Sequence, residues 1–318
     1  MFIEHFNITA LAVSQIFLLS AVGFFMVYRG FLSERGIDEL NLLVMNICLP
    51  AWIIYQFISD FSFSLFPSWW LYPLVSIVIT LLGLAVGLLF LKPIKGEQEK
   101  LQFLALSAFQ NSGYLPLALV AALFSPVASR SLFIVIFLFL AGFNLLMFSL
   151  GPYILNFHKE KRLKFNTLFS APVLATLFSL AIVASGAQKI FPSLLLKSLR
   201  MLGDVTLPLA LIVVGGSLAR IRLKHINRKA MVLLVIVKMM VLPLVGLFLL
   251  KALNISGVVG LLILIQLAMP SAVSIITVLR AYKKEDILAS QGIFITHAVS
   301  LITIPAFLIL YFSRFMIQ

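Results

Sequence analysis

Gln110-Asn111-Ser112-Gly113-Tyr114-Leu115-Pro116 lies at the middle of an apolar run from Leu101 to Phe124. A run of that length and composition reads as a membrane-spanning helix. Its centre nevertheless carries two amides, a hydroxyl, a glycine and a proline. Proline removes a backbone donor and clashes with the preceding turn, and glycine weakens the helix further. Carbonyls freed in hydrocarbon find no water, so such a break is tolerated only inside protein or beside a watery cavity. A second run, Ser256 to Leu279, is interrupted in the same way at Gln266-Leu267-Ala268-Met269-Pro270-Ser271. Two broken helices at corresponding places in two halves of a chain point to a transporter's binding site.

The composition agrees with the membrane reading. Of 318 residues, 62% are hydrophobic and 11% charged, where a soluble domain carries about a quarter charged. The formal charge of +13 does not imply a nucleic-acid partner, because the basic residues sit in short loops between apolar runs. The single cysteine, Cys48, falls inside one such run, which excludes an internal disulfide and a cysteine metal site. No metal and no cofactor is expected. Met1 to Asn7 carries Glu4 and His5 but no Lys or Arg. It lacks the basic start of a signal peptide, so the first apolar run reads as a retained span.

Ten spans are expected, at approximately 8–28, 40–58, 69–91, 101–123, 131–155, 168–187, 205–219, 230–250, 256–279 and 289–312. The fold class is therefore all-α integral membrane. The short seventh span is preceded by Pro192 to Gly203, where Leu194, Leu195, Leu199 and Leu202 alternate with Lys197 and Arg200; that spacing suits a helix lying in the interface. Trp69, Trp70 and Tyr72 form an aromatic belt at the start of the third span. Seventeen Lys and Arg fall in the odd-numbered loops and five in the even ones. This bias places the odd loops in the cytoplasm and both termini outside it, in a multi-pass protein of the cell membrane.

Three proline pairs recur at nearly one offset. Pro50 and Pro208 are 158 residues apart, Pro116 and Pro270 154, and Pro152 and Pro305 153. With five spans in each copy, the second enters from the opposite side, so a five-plus-five inverted repeat is expected, 1–156 and 157–318, with broken helices 4 and 9 crossing.

The polar groups at the two breaks are the candidate substrate ligands: Asn111, Ser112, Gly113 and Pro116 in the first, and Gln266, Pro270, Ser271 and Ser274 in or near the second. Half-helix N-termini carry free N–H groups and partial positive charge, which suit a carboxylate. The blander account is that Asn and Ser glue helices together. Lys238 is the one full charge deep in a span, at a cost of roughly 2.5–3.5 kcal/mol on insertion scales. It reads as a counter-charge to an anion, or as a built-in cation bonding the carbonyls of the broken helices. His297, in the tenth span, is a candidate for charge coupling or a hydrogen-bonded structural residue. No Asp or Glu lies deep in a span, which disfavours tight sodium coupling. No enzyme motif is present.

These residues carry a resemblance. Leu40-Asn41-Leu42-Leu43-Val44-Met45-Asn46-Ile47-Cys48-Leu49-Pro50-Ala51, Asn111-Ser112-Gly113-Tyr114-Leu115-Pro116-Leu117, Leu202-Gly203-Asp204 with Pro208-Leu209-Ala210-Leu211 and Gly216-Ser217-Leu218, Lys238 with Pro243, and Met269-Pro270-Ser271-Ala272 together resemble the auxin efflux carrier family. The short central loop, 156–167, is similar to that of bacterial members. The resemblance implies a carrier of small organic anions, related to bile-acid-type symporters. It also implies a scaffold of helices 1, 2, 6 and 7 that dimerises, and a transport domain of helices 3–5 and 8–10 moving as an elevator. Many bacterial relatives carry Asn where this chain has Ser274. The alternatives are a non-transporting ligand sensor on a carrier fold and a sodium- or proton-coupled symporter.

Overall fold

The computed structural model describes residues 2–155, 169–221, 227–281 and 286–315. The fold is all-helical: 83% of the described residues are helix, and no strand occurs among them. In order the helices are α1 (Phe2–Tyr28), α2 (Glu34–Asp60), α3 (Leu71–Leu89), α4 (Glu97–Ala108), α5 (Tyr114–Leu123) and α6 (Pro126–Ile154). They continue as α7 (Ala171–Ser185), α8 (Ser193–Ala219), α9 (Arg228–Ala252), α10 (Gly257–Ala268), α11 (Ser274–Ala281) and α12 (Ile287–Phe315). Seven of them, α1, α2, α3, α6, α8, α9 and α12, are long and apolar enough to cross a membrane; α5, α7 and α10 are shorter apolar helices.

Local chemistry sets the boundaries. The Ser33 hydroxyl caps α2 by accepting from Gly36 N at 3.0 Å. Ser125 caps α6, which opens on Pro126, where a missing N–H is harmless. Gly186 ends α7 in the left-handed region at φ +76°, where no side chain would sit comfortably. Two helices widen into π-helical turns, Val44–Cys48 in α2 and Ile236–Val241 in α9. Each ends just before a proline, Pro50 or Pro243, whose ring and missing N–H disturb the regular ladder.

The described helices fall where spans were expected, to within a few residues at most ends, although only seven of them are long and apolar enough to cross a membrane. The fourth and ninth are the two interrupted ones, as α4–α5 and α10–α11. The seventh differs. The stretch read as a separate interfacial helix is a helix of its own, Ser193–Asp204, but only a one-residue turn at Val205 parts it from Thr206–Ala219, and the two make up the 27-residue α8. Its Gly203 lies against the Trp52 backbone and ring of α2. The central loop read at 156–167 lies outside the described residues.

Glycines let the helices approach closely. A Cβ on Gly215 of α8 would overlap the Ser20 carbonyl of α1, and one on Gly23 of α1 would overlap that of Ile212. Small residues at such crossings are how apolar helices associate without a hydrophobic driving force. Helix α2 packs on α7 and α8; α3 packs on α4 and α6; α9, α10 and α12 pack on one another, with α4 against α12. Helix α5 touches α1, α6 and α8. Phe103, Phe109, Phe137, Phe139 and Tyr311 fill the interior, while Leu11, Phe25, Leu89, Phe248 and Ile302 face outward, as a lipid-facing surface does.

Candidate functional site

The two interruptions meet. After Ala108 the chain turns extended at Phe109 (φ −103°, ψ 117°), and after Ala268 at Met269 (φ −71°, ψ 145°). Asn111 N donates to Pro270 O at 2.8 Å, and Ala272 N donates to Phe109 O at 3.0 Å, forming an antiparallel bridge between Gln110 and Ser271. Proline fits here because the pairing uses its carbonyl and asks for no N–H. Backbone groups that a broken helix would leave bare thus satisfy those of the other break.

Side chains complete the exchange. The Ser271 hydroxyl donates to Leu106 O at 2.8 Å, and the Lys238 ammonium donates to Ser107 O at 3.1 Å, both carbonyls in the last turn of α4. A cation at a helix C-terminus meets the negative end of its dipole. The Gln266 amide donates to Ser112 O at 3.1 Å. Ser271 N donates to the Thr296 hydroxyl at 3.3 Å, which itself donates to Gly292 O at 2.8 Å. Asn111 Nδ2 lies 3.4 Å from His297 Nε2, and His297 Nδ1 lies 2.8 Å from Ile293 O.

Beside the crossing is a cavity of about 420 Å³. Its floor is the first break, Gln110 to Tyr114, and the start of the second half-helix, Ala272 to Ser274. Its walls come from α2 through Asn41 and Met45, from α6 through Phe143 and Asn144, and from α8 through Val213 and Ser217. Arg220, Arg280 and Asp38 stand among its lining residues next to the loops. Arg220 pairs with Asp38 at 2.6 Å and with Glu34 at 3.3 Å, and Arg280 with Asp286 at 2.7 Å. Both half-helices that follow the breaks, α5 and α11, begin at this cavity. The lining is mostly apolar with a few converging polar groups, the usual make-up of a small-molecule site.

The structure divides the residues expected from sequence into two groups. Asn111, Ser112, Gly113 and Ser274 line the cavity. Pro116, Gln266, Pro270, Ser271, Lys238 and His297 stand behind it, buried, and all but Pro116 and Pro270 hold the crossing through side-chain bonds. Among the described residues, two buried polar atoms at the crossing find no hydrogen-bond partner, Gln110 Nε2 and Gln266 Oε1. Asn41, Asn144, Ser217, Thr277, Arg220 and Arg280 line the cavity without having been singled out. Asn41 also accepts from the Tyr114 hydroxyl at 3.0 Å, tying α2 to α5. Asn144 carried a usable signal, being a lone amide within a long apolar helix, where polar residues are costly and functional.

Comparison with known proteins is consistent with this architecture. A family model described as membrane transport protein matches residues 8–167 and 156–308. A protein of Methanocaldococcus jannaschii described as an uncharacterized transporter is 28% identical over 295 residues, which cover 91% of this chain and 94% of that one.

Proposed function

Given that the chain belongs to the membrane transport protein family, the auxin efflux carriers, we propose that it carries a small organic anion with a carboxylate group. The observation that carries this reading is the cavity at the crossing. Two half-helix N-termini open on it, and Asn111, Ser112 and Gly113 line it. Free N–H groups with partial positive charge favour an anion, and neutral donors offer it hydrogen bonds without burying a further full charge. Phe143, Val213 and Met45 offer apolar surface to the rest of the molecule. Lys238, behind the floor, supplies compensating positive charge through the end of α4.

The alternating-access scheme follows from the same geometry. We take α1, α2, α7 and α8 as a scaffold that pairs with a second copy in the bilayer, and α3–α6 with α9–α12 as the moving body. The packing pattern supports that division. An inverted repeat is supported by α4 and α10, each of 12 residues and followed by a five-residue break. The cavity reaches Arg220 and Arg280, which lead into two of the Lys- and Arg-rich loops, and we take it as open on that side. With those loops cytoplasmic and both termini outside, in the cell membrane, this is the inward-open state.

The test is thermal-shift screening of purified protein against carboxylates, with flux measured in proteoliposomes. A ligand at 100 times its dissociation constant stabilises by about 2.7 kcal/mol. A carboxylate effect that disappears in Asn111→Ala is the expected result. Silence from all anions overturns the reading, and binding without flux makes the protein a sensor.

A further inference from the structure

The Asn111 amide stands between the cavity and a buried imidazole. Asn111 lines the cavity; His297, 1% exposed, does not. His297 Nδ1 faces Ile293 O at 2.8 Å. A carbonyl only accepts, so Nδ1 carries a hydrogen in every protonation state of the ring. The neutral ring is therefore the Nδ1–H tautomer, with Nε2 as an acceptor 3.4 Å from Asn111 Nδ2. The asparagine spends an amide hydrogen on the imidazole, and Oδ1 is the end turned to the cavity. An anion is repelled by that oxygen.

A second proton on the ring reverses the demand. Nε2 becomes a donor and requires an acceptor, which Asn111 supplies as Oδ1 after a half-turn of its amide. The same half-turn delivers NH₂ to the cavity. We propose that His297 is the binding site of a coupling proton, taken up together with the anion and communicated through the Asn111 amide. The inference rests on the reading of the cavity as an anion site and adds to it the identity of the coupling ion and its residue.

The charges around the ring favour joint binding. Helix α12 packs against α1, α4, α9, α10 and α11. On α9 it packs against the π-helical stretch that carries Lys238, whose ammonium is engaged by the Ser107 carbonyl. Helix α10 has no ionisable side chain, and α11 has Arg280 at its far end, paired with Asp286. The ionisable residues of α4, Glu97, Glu99 and Lys100, stand in its first turn, and α1 has only Tyr28 among residues 7–28. On α12 itself the others are Tyr311 and Arg314. No carboxylate faces His297 among the described residues, so a buried imidazolium lacks a counter-charge. The anion in the cavity is that counter-charge, and linkage makes each ligand tighten the other.

The test uses the full chain in micelles with acetate, benzoate and malate as probes, between about pH 6 and 8, where all three probes stay ionised. One linked proton weakens anion affinity by up to tenfold per pH unit above the titration of the ring. The expected result is that slope in the wild type, a flat profile in His297→Gln and His297→Asn, and an Nδ1–H neutral tautomer in ¹⁵N-imidazole spectra, assigned by the signal lost in His297→Gln. A pH-independent wild type, a slope retained in either variant, or an Nε2–H tautomer overturns this inference and leaves the anion site standing. Failure of all three probes to bind at any pH overturns the anion site and this inference with it.

Discussion

Replacing Lys238 with methionine separates two accounts of a buried charge. The side chain is 1% exposed, in the π-helical stretch of α9, and its ammonium donates to Ser107 O at 3.1 Å. A hydrogen bond from a charged group contributes about 1.5–3 kcal/mol, and a cation beside a helix C-terminus up to about 2 kcal/mol when partly buried. Dehydrating the ammonium costs several kcal/mol even after relaxation. These terms nearly cancel. Methionine fills the channel of the lysine stem without a charge, so Lys238→Met should unfold within about 2 kcal/mol of the wild type. Lys238→Ala, which also leaves a cavity, should lose about 2–4 kcal/mol more. Equilibrium unfolding in mixed micelles reads this out through Trp52, Trp69 and Trp70, with carboxylate-induced stabilisation measured on the same samples. The methionine variant should keep the fold and lose the carboxylate response. A fall of more than about 4 kcal/mol would mean that the ammonium is a structural staple for α4. A carboxylate response equal to the wild type's would remove Lys238 from charge compensation altogether.

Other perturbations test the crossing and the helix contacts. Ser271→Ala leaves the buried Leu106 carbonyl without its donor and should cost about 1–3 kcal/mol in the same unfolding assay; a neutral result would mean that water or a neighbour replaces the hydroxyl. Gly215→Val drives a side chain into the Ser20 carbonyl of α1 and should cost at least about 1–3 kcal/mol through overpacking, with no comparable loss for Val at the open Gly186 cap beyond its backbone strain. Tyr114→Phe and Asn41→Ala break the same bond between α5 and α2. Their double-mutant cycle should give a coupling of at least about 0.5 kcal/mol; zero coupling would deny the bond in solution.

The breaks were legible because they violate a strong rule. Amides, glycine and proline inside long apolar runs are tolerated in the membrane only within protein or beside a watery cavity, and both breaks lie where Gln110 and Pro270 announced them. That the two breaks hydrogen-bond to each other agrees with the expected crossing, but the donors and acceptors are a tertiary fact: nothing in Ser271 alone says that its hydroxyl serves Leu106 rather than a ligand. For the same reason Gln266 and Ser271 read as cavity ligands from sequence and stand behind the cavity in the structure. The walls were harder still. Asn41 and Ser217 sit near ends of helices that read as ordinary spans, and only packing brings them opposite the break. That Ser193–Asp204 leads into Thr206–Ala219 across a single turn residue escaped because Lys197 and Arg200 dilute its apolar pattern, although Gly203, the residue that meets Trp52, was in view.

The crossing also sets an order of events during synthesis. Gln110, Asn111 and Ser112 enter the membrane with α4 and α5, yet their partners, from Gln266 to His297, emerge from the ribosome 154 to 186 residues later. At about 5–20 residues per second that is a wait of roughly ten to thirty seconds. During it the first break has no native partner for the Asn111 amide, and the Ser107 carbonyl waits for Lys238. A chain halted after α9 would therefore hold an unfinished polar seam inside the bilayer, a distinguishing mark by which membrane quality control could separate truncated copies from complete ones.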